Sequence, residues 1–298
     1  MKCRNCNFSK LKKIIFIGKQ PLSGIFLKKK KKLKNKYSLD LFICKNCNLV
    51  QLGQNANPSK MFSNTYGYQS SISNLMRSHL KMIYQKLNHK NLLNDKSSVL
   101  DIGSNDGTFL NNFKKSNKLY GVDPTADKFK KFYNLNIKRI NNFFSYNNVK
   151  KFFEKNKNIK FDLISSFAMF YDVNDPNKFC RDIYKLLKPN GIWALEFSYF
   201  PLLLKNLTYD QICHEHVTYY TFSVFKKIAE KNNFKIINVT FNEINGGSIQ
   251  IFCTKKTSTI KDYSKKLQKS ILIDEKKINF ISFKKFNKRI IFLKKKMK

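Results

Sequence analysis

Glycine and proline are scarce in this chain, at 10 and 6 of 298 residues, and there is a single tryptophan. So few backbone breakers exclude a collagen-like or low-complexity chain. The 42% hydrophobic and 14% aromatic content excludes wholesale disorder. No uncharged apolar run approaches the ~18 residues of a membrane span. The start, Met1-Lys2-Cys3-Arg4-Asn5-Cys6, leads into no apolar stretch, so no secretory leader is expected. Seven cysteines in a chain this long do not make a secreted disulfide scaffold. Four fall in two Cys-x-x-Cys pairs, while Cys180, Cys213 and Cys253 stand alone, which fits a reducing cytoplasm and one metal site. Acidic residues are also few: 19 Asp+Glu against 58 Lys+Arg, a formal charge of +39. Such an excess points first to nucleic acid or an anionic membrane. Yet only five of the 58 are arginine (Arg4, Arg77, Arg139, Arg181, Arg289). Proteins that read phosphates and bases lean on the planar guanidinium fork. With Lys, Asn, Ile and Phe all plentiful, the charge reads as the imprint of an AT-rich coding sequence rather than of a partner.

What is there is organised in segments. At ~100–200 residues per domain the length allows two domains, or one domain with appendages. Residues 1–60 hold both Cys pairs, short β-type runs at 14–18 and 40–43, and a lysine run at 28–32 that reads as a solvated loop. Residues 61–97 form a linker with Tyr66, Tyr68, a serine cluster and a helical pattern through Leu75, His79, Met82, Ile83 and Leu87. From 98 to 254 strands and helices alternate. Strands are expected at 99–103, 119–122, 137–140, 161–165 and 192–197, and helices at 108–115, 126–133, 146–155 and 177–187. The spacing predicts an α/β fold, a mostly parallel sheet with helices on both faces. An insertion at 200–222 interrupts it. A helix at 223–231 and strands at 235–241 and 248–254 then close the core with an antiparallel edge pair. Residues 255–298 read as a tail, polar at first, then helical with Phe283, Phe286, Ile290 and Leu293 in phase.

The strongest chemical signal is Val99-Leu100-Asp101-Ile102-Gly103-Ser104-Asn105-Asp106-Gly107-Thr108, an apolar strand running into a loop with two glycines. Gly103 and Gly107 let backbone pass close to a ligand. A second strand ends in Gly121-Val122-Asp123-Pro124, where a carboxylate can accept from both hydroxyls of a ribose. Neither the dinucleotide fingerprint nor the P-loop pattern is met. Two strand-closing acids around a Gly-x-x-x-Gly loop suit a cationic nucleoside such as S-adenosylmethionine (SAM). The competing reading is an ordinary strand-to-helix turn without a ligand.

Cys3-x-x-Cys6 and Cys44-x-x-Cys47 supply four thiolates, enough for a closed tetrahedral structural Zn²⁺ site; the alternative is two unrelated buried pairs. Cys213-His214-Glu215-His216 holds half of the four histidines and sits where α/β sheets bind ligands, beyond the carboxyl ends of the strands. An extended segment would put both histidines on one face. A histidine suits proton transfer near neutral pH. Structural histidines, or a second metal site using Cys213, are the alternatives.

Taken together, these stretches resemble the SAM-dependent sugar C-methyltransferases, bacterial enzymes acting on nucleotide-linked keto-sugars. The likeness also runs through Gly18-Lys19-Gln20-Pro21-Leu22, Tyr66-Gly67-Tyr68-Gln69-Ser70-Ser71 with His79, Tyr219-Tyr220 and Asn245-Gly246-Gly247-Ser248. The resemblance implies a zinc-binding β module ahead of a class I methyltransferase core. Zn²⁺ would sit on Cys3, Cys6, Cys44 and Cys47. SAM would lie over Asp101, Gly103, Asn105, Asp106 and Gly107, with Asp123 on its ribose. His216 would be the base, with Glu215 and Tyr68 against the sugar; His214 of the same motif is a further candidate catalytic residue. Two departures stand out. Cys213 replaces the tyrosine of characterised sugar enzymes, and a thiol is a poorer donor than a phenol. The family also continues into a further Rossmann-like domain, so the tail is expected to be truncated before it. A zinc-bearing RNA or DNA methyltransferase is a second reading, against which stands the lack of an Asn/Asp-Pro-Pro-Tyr/Phe motif. A non-catalytic SAM- or sugar-binding remnant is a third.

Overall fold

The structure, a computed structural model, describes residues 1–23, 35–54, 56–62, 66–154 and 158–296; the lysine run at 28–32 lies outside them. The N-terminal segment carries β1 (Leu11–Ile15), the short pair β2 (Lys19–Gln20) and β3 (Tyr37–Ser38), then β4 (Leu41–Cys44) and β5 (Val50–Leu52). β1 pairs antiparallel with β4, and β4 with β5. The first strand ends earlier than the apolar run at 14–18 suggests. The Asp40 carboxylate accepts from the Ile17 and Gly18 N–H groups, at 3.0 and 2.9 Å, and turns the chain out of the ladder.

Helix α1 (Pro58–Met61) is followed by α2 (Asn74–His89), capped by the Ser73 hydroxyl. Its buried stripe is His79, Leu80, Ile83 and Leu87; Leu75 and Met82, expected on that face, are 67% and 58% exposed. The 3.6-residue period turns both away from the stripe.

The core follows as β6 (Ser98–Ile102), β7 (Lys118–Val122), β8 (Ile137–Ile140), α3 (Tyr146–Phe152), β9 (Phe161–Phe167), α4 (Pro176–Leu186) and β10 (Leu187–Ser198). Then come α5 (Phe200–Asn206), β11 (Thr218–Tyr219), α6 (Phe222–Lys231), β12 (Phe234–Asn242), β13 (Ser248–Lys255), α7 (Lys265–Glu275) and α8 (Phe280–Lys296). Seven strands form one sheet in the order β8-β7-β6-β9-β10-β13-β12. It is parallel from β8 to β10, and β13 runs antiparallel to both neighbours. The α/β core with an antiparallel edge is therefore as the sequence implied. Both faces are covered: Val99, Leu119 and Ala194 face Leu80, Ile83 and Leu87 of α2, while Leu100, Val122 and Trp193 face Ile183 of α4 and Phe225 of α6. The strand order reverses between β6 and β9, which opens a crevice at their carboxyl ends.

Two expected helices are absent. Residues 108–115 and 126–133 form turns with one 3₁₀ turn each, Leu110–Asn112 and Lys130–Phe132. The Asn112 side-chain amide donates to the Thr108 carbonyl at 2.9 Å, taking the acceptor that an α-helix would offer to the Asn112 backbone. The Lys188-Pro189-Asn190-Gly191 turn lies inside β10 as an irregularity, where the pairing with β9 shifts between Leu187 and Ile192.

The insertion and the tail both return to the N-terminal module. β11 adds to β5 as a fourth antiparallel strand. Helix α8 buries Phe283, Phe286 and Ile290 in a cluster with Ile14, Ile15 and Leu41 of the module and Leu203 of α5. Each such side chain contributes roughly 1.5–3 kcal/mol when withdrawn from water. Asn287 bonds the backbone at β1, accepting from Phe16 N–H at 3.0 Å and donating to the Ile14 carbonyl at 2.7 Å. The stretch read as a polar tail contains α7, whose Glu275 accepts from Phe222 and Ser223 N–H at the start of α6. A carboxylate there meets the positive end of the helix dipole. Among the described residues no helix is long and apolar enough to cross a membrane.

Candidate active site and metal centre

A cavity of about 290 Å³ fills the crevice. Gly103 lines it with φ +71°, and a Cβ there would stand 3.1 Å from the Met169 side chain. Gly107, also left-handed, stands behind the wall. A Cβ on it would lie 2.6 Å from the Tyr133 ring, whose hydroxyl bonds Ser104 Oγ and the Asn105 carbonyl, each at 2.8 Å. The space left by Gly107 thus belongs to Tyr133 rather than to a ligand, contrary to the sequence expectation.

The loop is stitched to the segment that precedes α2. Asn105 Oδ1 accepts from Ser70 N–H at 2.9 Å and Nδ2 donates to the Tyr68 carbonyl at 3.2 Å. Asp106 accepts from Ser71 N–H at 2.9 Å and from Thr108 N–H and Oγ. One oxygen of Asp106 is therefore spent on the loop itself and the other on the segment before α2. Asp123 accepts from Asn105 N–H at 3.0 Å and from Thr125 N–H and Oγ, each at 2.6 Å. Asp101 accepts from Ser165 Oγ at 2.6 Å. Tyr68, half-exposed, and Tyr66 complete this side of the cavity.

Asp101, Asp123, Asp172 and Glu196 line the cavity, and among the described residues its wall has no lysine, arginine or histidine. This is an acidic pocket in a protein of formal charge +39. Burial, with Asp123 nearby, pushes Asp101 up to about 7, and burial raises Asp123 too. Buried acids held above their ordinary range gain from a cationic ligand, which favours their ionised forms. Asp101, Gly103, Asn105 and Asp123 thus fit a positively charged nucleoside. Glu196 is matched differently. His79 Nε2 lies 2.8 Å from its Oε1, and Asn242 donates to Oε2 at 2.8 Å. Pattern alone gave His79 no role; its partner is 117 residues away, and no local signal announces the pair.

The His-Glu-His segment is not a strand, and its histidines part company. His214 is buried against the β2–β3 pair: its Nδ1 accepts from Ser23 N–H, and its Nε2 donates to the Tyr37 carbonyl, each at 3.2 Å. Burial lowers its pKa, and both ring nitrogens are occupied. His216 turns elsewhere. Its ring rests on Tyr171, centroids 3.9 Å apart, and its Nδ1 donates to the Gln211 carbonyl at 2.8 Å. That bond fixes the tautomer in which Nε2 carries the free lone pair. Glu215 accepts from Ser23 Oγ. Cys213 sits beside Glu215, and burial with that carboxylate holds the thiol protonated. None of these four lines the cavity directly. They lie behind Tyr171 and Asp172, the second of which does line it. Asp172 and Tyr66 were not among the expected catalytic residues.

The four paired cysteines meet. Their Sγ atoms all lie within 4.8 Å of one another, with Cys3–Cys47 at 3.5 Å and Cys6–Cys44 at 3.6 Å. A Zn–S bond of ≈ 2.3 Å in a tetrahedron needs sulfurs about 3.8 Å apart. The two halves are built alike. Asn7 and Asn48 follow the second cysteines with φ +61° and +62°, and their N–H groups return to the Cys3 and Cys44 carbonyls at 2.9 and 3.0 Å. The donor set and spacing fit zinc.

Residues 76–239 match the family model described as "Methyltransferase domain", and residues 3–62 match one described as "Putative zinc binding domain". C-methyltransferase NovU of Streptomyces niveus is 24% identical over 253 residues, covering 84% of this chain. The chain spans about 60% of that relative's length. Among solved structures, magnesium protoporphyrin IX methyltransferase of Synechocystis PCC 6803 with bound SAH is similar with a TM-score of 0.45 and 14% identity, over 60% of this chain and 83% of that one. A SAM-dependent methyltransferase of Clostridium acetobutylicum gives 0.43 and 14%, over 59% and 90%.

Proposed function

Since the chain belongs to the SAM-dependent methyltransferase family, we propose that it transfers the methyl group to carbon, next to a ketone, on a nucleotide-linked keto-sugar. The observation that carries this reading is His216, with Nδ1–H tied to the Gln211 carbonyl, Nε2 without a hydrogen-bond partner among the described residues, and the ring on Tyr171, next in the chain to the cavity-lining Asp172. A C–H beside a ketone becomes nucleophilic once its proton is removed, and a histidine nitrogen with a free lone pair can remove it. The relative NovU bears the name of a C-methyltransferase, which supports transfer to carbon.

SAM supplies an electrophilic methyl group on a sulfonium. Asp101, Gly103, Asn105 and Asp123 bind it, while Asp106 and Gly107 shape the loop beneath. Tyr68, on the segment bonded to that loop, positions the sugar against the pocket rim. Glu215 and His214 hold the His216 loop through Ser23 and Tyr37. Cys3, Cys6, Cys44 and Cys47 would hold zinc and so brace the β4–β5 strands, to which β11 pairs just after His216. In this reading residues 1–60 are the zinc-binding module and 98–254 the catalytic core.

The test is transfer of tritium from methyl-labelled SAM to a panel of nucleotide-linked keto-sugars, with bulk RNA as control. Label in a keto-sugar supports the reading, and label in RNA alone overturns it.

A further inference from the structure

Asp172 has no place in the scheme so far, yet it is the residue through which the His-Glu-His loop meets the cavity. It ends the 3₁₀ turn Phe170–Asp172 that follows β9. That turn is fixed from both sides: Asp172 N–H donates to the Met169 carbonyl at 3.0 Å, and Thr218 Oγ donates to the Tyr171 carbonyl at 3.0 Å. Tyr171 carries the ring of His216, tilted 46° to its own. Asp172 lines the cavity, and its Oδ1 is buried with no hydrogen-bond partner among the described residues. A buried polar atom without a partner in a ligand pocket marks a place where a ligand atom completes the bond.

We propose that Asp172 is a further catalytic residue, a carboxylic acid whose O–H donates to the ketone oxygen of the acceptor and holds the enolate as His216 takes the neighbouring proton. This rests on the carbon-methylation reading. In the step, the C–H bond breaks and its proton goes to His216 Nε2. The electron pair forms the C=C bond, and the carbonyl oxygen becomes the enolate oxygen. Asp172 keeps its proton throughout and shares it in the hydrogen bond.

The surroundings hold Asp172 in the form this needs. Among the described residues its neighbours are Glu215, Cys213, Tyr66, Tyr171 and Tyr219 on the acidic side and His216 as the single base. Burial and the Cys213 and Glu215 groups raise its pKa well above the usual carboxylate range, and His216 opposes this only in part. A carboxyl kept neutral by an apolar site is a strong oxyanion donor. Cys213, which stands behind this wall, offers only a weak S–H donor.

The test uses the full chain with S-adenosylhomocysteine in place of SAM, a keto-sugar from the panel, and D₂O. Deuterium wash-in at the carbon beside the ketone reports enolate formation without methyl transfer. We expect Asp172→Leu to slow wash-in by about 10²-fold, the size of a lost oxyanion donor, with S-adenosylhomocysteine affinity unchanged. Asp172→Asn, which keeps an N–H donor, is expected to lose about 10-fold and to lack the fall at alkaline pH that ionisation of Asp172 gives the wild type. Wash-in by Asp172→Leu at the wild-type rate overturns the role of Asp172 and leaves the enolate reading standing. Methyl transfer to carbon without wash-in by the wild type overturns both. A tenfold loss of SAM affinity in Asp172→Asn, with wash-in unchanged at saturation, reassigns the residue to cofactor binding and overturns the proposal.

Discussion

The nucleotide loop and the His-Glu-His loop approach the same cavity by different routes. The first is continuous: β6 runs into Gly103, the loop closes on itself through Asp106, and Asp123 comes from the adjacent strand β7. The second is assembled from afar. His214 is held by Ser23 and Tyr37, some 190 and 177 residues earlier in the chain, and β11 is paired with β5 of the cysteine-bearing module. A loop made by its own strand is as stable as the sheet. A loop held by a separate module depends on whatever holds that module together. In the proposed reaction the autonomous region would bind the methyl donor and the dependent one would remove the proton.

Replacing His216 by alanine should divide the two most sharply. Methyl transfer is expected to fall by about 10²–10⁴, the range of a lost general base, while SAM affinity in calorimetry stays at the wild-type value. A matching loss of SAM binding would show that the regions are not separable. Gly107→Ala acts on the other side. Its Cβ would meet the Tyr133 ring at 2.6 Å in a left-handed backbone, and a cost of about 1–3 kcal/mol is expected in urea unfolding.

The third effect is a pH dependence confined to the nucleotide loop. Asp101, pushed up to about 7, is protonated below that pH and attracts a cation only when ionised. SAM affinity should therefore fall as pH drops below about 7, by at most tenfold per unit, and binding at pH 6.5 should release protons in calorimetry across buffers. Asp101→Asn should weaken both, leaving only the part that Asp123 contributes. The sign for stability is opposite: between 3.8 and about 7 the folded SAM-free protein keeps a proton that the unfolded chain has lost, so stability declines as pH rises through that window. The smallest effect is that of salt. With an acidic pocket, SAM binding should show a shallow dependence, far from the slope of about −0.9 per phosphate contacted in duplex DNA.

The difference between the regions also explains what was readable from sequence. β6, β7 and β8, with their Gly and Asp punctuation, stand within a residue of their expected places because strand, loop and acid follow one another locally. The paired cysteines were legible for the same reason, since Cys-x-x-Cys is a local spacing; the asparagine at φ > 0 that closes each pair is a structural finding. The helix expected at 108–115 failed because the Asn112 side chain competes for a backbone carbonyl, which apolar periodicity does not register. Asp172, the His79–Glu196 pair and the split of His214 from His216 depend on contacts between distant segments. Nothing in the spacing of Cys213-His214-Glu215-His216 says that one histidine faces the module and the other Tyr171.

Hydrogen–deuterium exchange on the zinc-loaded chain before and after chelation tests this division most directly. We expect removal of zinc to strip protection from the amides of 213–219, which hang on Ser23 and β5. Residues 99–103, held between β7 and β9, should keep theirs, and SAM should still bind. Equal loss in both segments, or no loss at 213–219, would contradict the account.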